Sequence, residues 1–210
     1  MNSLFSQDFL NLSADDIATE ISKNSIFSKS KVVNTEIIDK IIQETDLFNI
    51  KLNSLEISSV HDQDGYYMSN GLAKSKTLYD FLTSDKILDI SRAYLGNSFR
   101  LKCHRVYSVS SGAKNPWHTD DKKYGKKNKN ITGLVFLVYL NDVYNGEFQA
   151  VKGSHLNSSE FKYPNFDTHI IDEAFKNSIL SYKMPSGSLI IFDNKTIHRA
   201  KPYLDFFWKR

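Results

Sequence analysis

The chain has 210 residues, 40% of them hydrophobic and 13% aromatic, with a formal net charge of +3. This composition fits one large folded domain with a substantial core and excludes a disordered chain; so small a net charge disfavours nucleic acid as a partner. Cys103 is the only cysteine, which excludes an intramolecular disulfide framework and a cysteine-rich metal site.

The longest apolar run, Ile131 to Leu140, is interrupted by Thr132, Gly133 and Tyr139 and is too short to span a bilayer. Met1 to Leu12 lacks the basic and apolar regions of a secretory signal, so no membrane partner and a cytoplasmic location are expected.

In chain order, Ser13-Ala14-Asp15-Asp16 reads as a helix start, with Ile17 and Ile21 four apart behind it. A second helix is expected from Asn34 or Thr35, where Ile37, Ile38, Ile41 and Ile42 form an apolar stripe. The stretch Asn49 to Ser75 is turn-rich around Asp64-Gly65, with Tyr66 and Tyr67 beside it; it fits either a lid or an ordinary hairpin with core aromatics. A helical pattern runs from Lys76 to Leu95 and stops at Gly96.

After that the texture changes. Phe99 to Ser110 alternates like a strand and turns at Ser111-Gly112, and Ile131 to Asn141 reads as a strand covered on both faces. Asn145-Gly146 signals a hairpin with Glu147 to Val151 returning. Ile179 to Lys183, Ser188 to Phe192 and Phe206 to Arg210 complete the strands. Helices followed by short strands give an α+β, mainly-β order. The simplest architecture is a single domain over 1–210, with a mostly helical packing region over 1–95 and an antiparallel jelly-roll barrel over 96–210.

His118 and Asp120, in Trp117-His118-Thr119-Asp120, lie two apart on an extended segment and so point the same way. They supply two thirds of a 2-His-1-carboxylate metal site, and His198, after the strand-like Ser188 to Phe192, is the best candidate for the third donor. Taken singly, each of these residues at a turn is more often a surface or capping group. Lys102, Tyr107, Tyr139 and Thr132 fall on expected strands near the motif, where they suit either hydrogen bonding to a cofactor or packing. The loop after Asp121 holds five lysines, Lys122, Lys123, Lys126, Lys127 and Lys129. It reads as a solvated loop, or as a device steering an anionic small molecule.

Trp117-His118-Thr119-Asp120, Leu140-Asn141-Asp142-Val143 with Asn145-Gly146, Gly153-Ser154-His155, and Gly187 with His198 resemble the phytanoyl-CoA dioxygenase-like family of Fe(II)/2-oxoglutarate-dependent oxygenases. The resemblance covers roughly residues 95–210. It implies a double-stranded β-helix of the cupin-like kind, with His118, Asp120 and His198 as iron ligands and catalytic residues. It further implies 2-oxoglutarate as co-substrate, O2 as oxidant, and hydroxylation of a small organic substrate with release of succinate and CO2. Relatives that halogenate lack the carboxylate that Asp120 supplies here, which favours hydroxylation. The family's basic anchor for the far carboxylate of 2-oxoglutarate falls ten to twelve positions beyond the distal histidine, at Lys209 or Arg210. Arg210 is preferred because a guanidinium grips a carboxylate bidentately. His155 matches a structural turn rather than a ligand. A non-catalytic or differently metallated barrel acting as a binding module is the competing expectation.

Overall fold

The computed structural model describes residues 3–45, 57–61, 65–68, 71–109, 116–121, 132–157 and 168–202, with the backbone alone for 57–61, 65–68 and 107–109. The chain opens with α1 (Gln7–Leu10), α2 (Ala14–Asn24), β1 (Ile26–Lys29) and α3 (Thr35–Thr45). It continues through β2 (Ile57–His61), β3 (Gly65–Met68), α4 (Gly71–Lys74), α5 (Lys76–Leu82) and α6 (Asp85–Leu95). The strand-rich half holds β4 (Val106–Val109), β5 (Leu134–Val138) and β6 (Phe148–Val151), then α7 (Thr168–Ala174), β7 (Ile179–Tyr182), β8 (Leu189–Asp193) and β9 (His198–Ala200).

The expected N-terminal helices form for the reasons legible in their residues. Ser13 caps α2, its hydroxyl accepting from the amides of Asp15 (3.2 Å) and Asp16 (3.4 Å), and Ile17, Ala18 and Ile21 face inward. The helix stops where Ser25 takes a left-handed φ of 69° and its amide donates to Ile21 O. The single helical run expected from Lys76 to Leu95 is instead α5 and α6, parted at Thr83 and Ser84. Both hydroxyls donate back to helical carbonyls there, Thr83 to Tyr79 O (2.8 Å) and Ser84 to Phe81 O (2.7 Å).

Among the described residues, three antiparallel three-stranded sheets form, ordered β1-β8-β5, β2-β3-β4 and β7-β6-β9. β2 and β3 thus lie antiparallel to one another, and β3 pairs on with β4; Asp64 lies outside the described residues. β8 is the centre of the first sheet, and all five of its residues are buried. Its Leu189 and Ile191 join Phe27 and Phe136 against the N-terminal helices, while Ile190 and Phe192 face Phe148, Ala150 and Leu180 of the β7-β6-β9 sheet. One sheet is thus covered on both faces, by helices outside and by the second sheet inside.

Two expectations need correction. β4 covers only Val106–Val109, and Phe99 to Arg105 is irregular, with Phe99, Leu101 and Cys103 exposed. Asn145-Gly146 does not close a hairpin, because β6 pairs with β7 and β9 rather than with β5. Gly146 has the positive φ that the turn signal predicts (66°), but the turn carries the chain from one sheet to the other. β1 and α7 were not expected from the sequence. The strand expected at Phe206 to Arg210, the turn at Ser111-Gly112 and the lysine loop lie outside the described residues.

Candidate metal centre

His118 and His198 come together because their backbones pair. His118 N donates to His198 O (3.0 Å) and His198 N to His118 O (2.9 Å), so the segment around residue 118 runs antiparallel to the start of β9. The connection from β8 to β9 also holds Asp120: Asn194 O accepts from the amides of Asp120 (2.8 Å) and Asp121 (3.2 Å). Asn194 is itself fixed to Gly133, its amide donating to Gly133 O (2.9 Å) and its side-chain oxygen accepting from Gly133 N (3.0 Å). Asp193, buried at the end of β8, accepts from the Tyr94 hydroxyl (2.6 Å) and the Lys195 amide (2.7 Å). Burial, followed by the Asp193 carboxylate, pushes the Tyr94 hydroxyl well above its ordinary pKa, so it stays a donor.

This scaffold brings one potential donor atom each of His118, Asp120 and His198 within 4.8 Å of one another. The imidazole centroids lie 4.3 Å apart at 53°, and His198 Nε2 is 3.7 Å from Asp120 Oδ2, beyond an ordinary hydrogen bond. His198 is buried against Phe148 and Phe192 (centroids 5.4 and 4.8 Å), while Asp120 and His118 are half-exposed. The ring orientations follow one rule: His118 Nδ1 is 2.8 Å from Pro116 O, and His198 Nδ1 is 2.8 Å from Thr196 O. A carbonyl only accepts, so each Nδ1 is the donor in these contacts and each Nε2 is the atom left to serve as a metal ligand. The donor set fits a divalent iron with open positions, the arrangement of 2-His-1-carboxylate non-haem iron enzymes.

On the opposite side of the two strands lies a polar cluster that the sequence did not suggest. Trp117 is fully buried, and its Nε1 donates to Asp172 Oδ1 (3.0 Å) on α7. Arg199 stacks over the Trp117 ring at 4.2 Å, reaches Asp172 Oδ1 at 3.2 Å, and donates through Nε to Gln149 Oε1 (2.9 Å). Burial lowers the Arg199 pKa from its ordinary value, and Asp172 opposes the shift. No spacing rule joins residues 117, 172 and 199; the only readable signal is that the tryptophan and arginine flank the two histidines.

Of the other residues singled out from the sequence, Tyr139, Thr132, Lys102 and His155 have described side chains. Tyr139 follows β5 and packs with the inner cluster; its hydroxyl donates to Tyr182 O (3.0 Å) and accepts from Phe148 N (3.0 Å). Thr132 and Lys102 are exposed. The Tyr107 side chain, Lys209 and Arg210 lie outside the described residues. His155 Nε2 contacts Ser22 O (3.0 Å), in keeping with a structural turn.

A sequence comparison with curated proteins found no match. Among solved structures, the chain is similar to the non-haem α-ketoglutarate-dependent carbocyclase SnoK from nogalamycin biosynthesis, at 15% identity and TM-score 0.67 over 94% of this chain and 80% of that one. It is also similar to the epimerase SnoN from the same biosynthesis, at 16% identity and TM-score 0.67 over 89% of this chain and 73% of that one. HygX from Streptomyces hygroscopicus, solved with nickel and 2-oxoglutarate bound, matches at 12% identity and TM-score 0.65 over 90% of this chain and 81% of that one. The model of the phytanoyl-CoA dioxygenase (PhyH) family matches residues 30–204, and the chain belongs to that family. It is a 2-oxoglutarate-dependent non-haem iron enzyme, with Fe(II), 2-oxoglutarate and O2 as the cofactor and co-substrates of its class.

Proposed function

We propose that this chain hydroxylates a small organic substrate while oxidising 2-oxoglutarate to succinate and CO2, with His118, Asp120 and His198 holding the iron. The observation that carries this reading is the convergence of the three donors within 4.8 Å, with both imidazoles tied through Nδ1. Bound there, Fe(II) supplies activation of O2 coupled to decarboxylation of the keto acid. The chain's own contribution is orientation and exclusion. Pro116 O and Thr196 O set the two imidazole tautomers, and Asn194 O holds the Asp120 backbone. Phe148 and Phe192 keep water from the buried side of His198.

In this reading the β1-β8-β5 and β7-β6-β9 sheets are the two halves of a double-stranded β-helix, and the whole chain forms one domain. Their shared inner cluster supports this. Arg210, with Lys209 as the second choice, is the proposed anchor for the far carboxylate of 2-oxoglutarate. Lys102, Thr132 and Tyr107 remain assigned as weaker candidates for contact with it. The lysines after Asp121 suit an anionic substrate. No described helix is long and apolar enough to cross a membrane, which suits the proposed cytoplasmic setting.

A second reading rests on the described activities of SnoK and SnoN, a carbocyclase and an epimerase: the same oxidation ends without net hydroxylation. Succinate formation from 2-oxoglutarate under Fe(II), ascorbate and air tests what both readings share. The expected result is turnover by the wild type and its loss in His118→Ala. Turnover no higher than in that variant, with or without candidate substrates, leaves the non-catalytic barrel as the better account.

A further inference from the structure

We propose that Asp172 is a positioning residue for the metal centre, acting through Trp117 and Arg199. The inference rests on the assignment of His118, Asp120 and His198 as metal ligands. Trp117 immediately precedes one candidate ligand, and Arg199 immediately follows another. On extended backbone, neighbouring side chains point to opposite faces. The histidines therefore turn inward, and the tryptophan and arginine turn outward.

There a single oxygen, Asp172 Oδ1, binds both: Trp117 Nε1 at 3.0 Å and the Arg199 guanidinium at 3.2 Å. The Arg199 side chain is 11% exposed and that of Asp172 39%. The guanidinium also covers the indole at 4.2 Å. Gln149 on β6 ties the arginine to the sheet (2.9 Å) and reaches Ser181 on β7 (2.7 Å).

Among the described residues, the pairing of His118 with His198 is a single bridge of two backbone hydrogen bonds, with Asn194 O holding the Asp120 and Asp121 amides beside it. So short a pairing constrains the twist between the two segments less than a ladder does and leaves some freedom in it. The Asp172 carboxylate, bonded to the outward side chain on each segment, removes that freedom and sets the angle at which the two imidazoles meet. It is worth most when a metal demands one geometry, as with other groups that support ligands from behind. α7 thereby becomes a strut from the stretch between β6 and β7 to the back of the site.

The test is calorimetric titration of the full-length apo-protein with Co(II), a redox-stable stand-in for Fe(II), beside thermal melting of each variant. Asp172→Ala is expected to bind Co(II) at least about tenfold more weakly than the wild type. Asp172→Asn keeps an acceptor for Trp117 but drops the charge facing Arg199, and is expected to fall between the two. Ile90→Val, in the helical core away from the site, controls for general loss of stability. Co(II) affinity of Asp172→Ala within about twofold of wild type overturns the proposal, as does an equal loss of affinity in Ile90→Val. If Asp172→Ala does not fold, Asp172→Asn decides: weakening of about threefold or more supports the strut, and wild-type affinity overturns it. A wild type that binds no Co(II) sinks the ligand assignment, and this proposal with it; wild-type binding with unaltered variants sinks this proposal alone.

Discussion

His118 and His198 are oriented by the same device, an Nδ1–H held on the carbonyl two residues earlier in the chain. That device is local, so it travels with the sequence, and the two ring nitrogens need no side-chain partner to settle their roles. Tyr139 illustrates the opposite case. Its one hydroxyl proton goes to Tyr182 O, and its oxygen already accepts from the Phe148 amide. Toward a carboxylate it offers only lone pairs, which repel rather than bind. Tyr139→Phe is therefore expected to destabilise the fold by about 1–3 kcal/mol by orphaning the Phe148 amide and Tyr182 carbonyl. It should leave the KM for 2-oxoglutarate within about twofold of wild type. Thermal melts and succinate kinetics on the same preparation check both halves. His118 and Asp120 were legible as candidates at this scale because side chains two apart on extended backbone share a face, although each taken singly reads as a surface or capping group. The distal histidine was a candidate from its place after a strand, and the family pattern joined it to the other two. Asp172 was not legible at all, since nothing near it in the chain marks it as different from any other acidic residue on a helix.

Elements joined by buried polar contacts supply the next predictions. Glu44, at the end of α3, accepts from the Ser75 hydroxyl (2.6 Å), the Thr77 amide (3.0 Å) and the Thr77 hydroxyl (2.9 Å) at the start of α5. Burial alone would raise its pKa, but the hydrogen bonds from Ser75 and Thr77, with Lys40 nearby, outweigh it and hold the carboxyl below its ordinary value. A carboxylate depressed on folding stabilises the fold above its unfolded pKa and stops doing so as pH falls through the lower folded value. The gap in stability between wild type and Glu44→Gln is accordingly expected to be constant near neutral pH and to shrink below about pH 4.5. Urea denaturation at several pH values measures it. Gly187 joins the helical and strand regions differently. It has φ +77°, its carbonyl accepts from the amides of Val32 and Val33 (both 2.9 Å), and a Cβ there would collide with Val33 O. Gly187→Ala should lower stability by more than about 1 kcal/mol, as strain at a left-handed position and a backbone clash add. Helices with caps and stripes, such as α2, were readable from sequence. The break between α5 and α6 was not, because their apolar spacing continues across Thr83 and Ser84 and only back-bonded hydroxyls mark the stop.

Across the whole molecule, the presence of helices followed by antiparallel strands was legible from their order in the sequence. The strand partners were not. Asn145-Gly146 carries every local mark of a hairpin, yet β6 finds its neighbours in β7 and β9, because pairing is decided by which sheet needs the inner face of Phe148 and Ala150. The consequence for function is that the candidate ligands sit where the chain crosses between sheets: Asp193 ends β8 in one, and His198 starts β9 in the other. A cation bridging His198 and Asp120 would clamp that crossing in the folded state alone. Co(II) with 2-oxoglutarate, each at about 100 times its Kd, is expected to stabilise the protein by at least about 2.7 kcal/mol, a rise in Tm of roughly 5–10 °C. A chelator should reverse the rise, and His118→Ala should show none. The most direct measurement is anomalous diffraction at the iron edge from crystals grown anaerobically with Fe(II) and 2-oxoglutarate. The expected result is one iron per chain bonded to His118 Nε2, His198 Nε2 and the Asp120 carboxylate; iron bound elsewhere, or no iron in a protein that still turns over 2-oxoglutarate, would contradict the assignment.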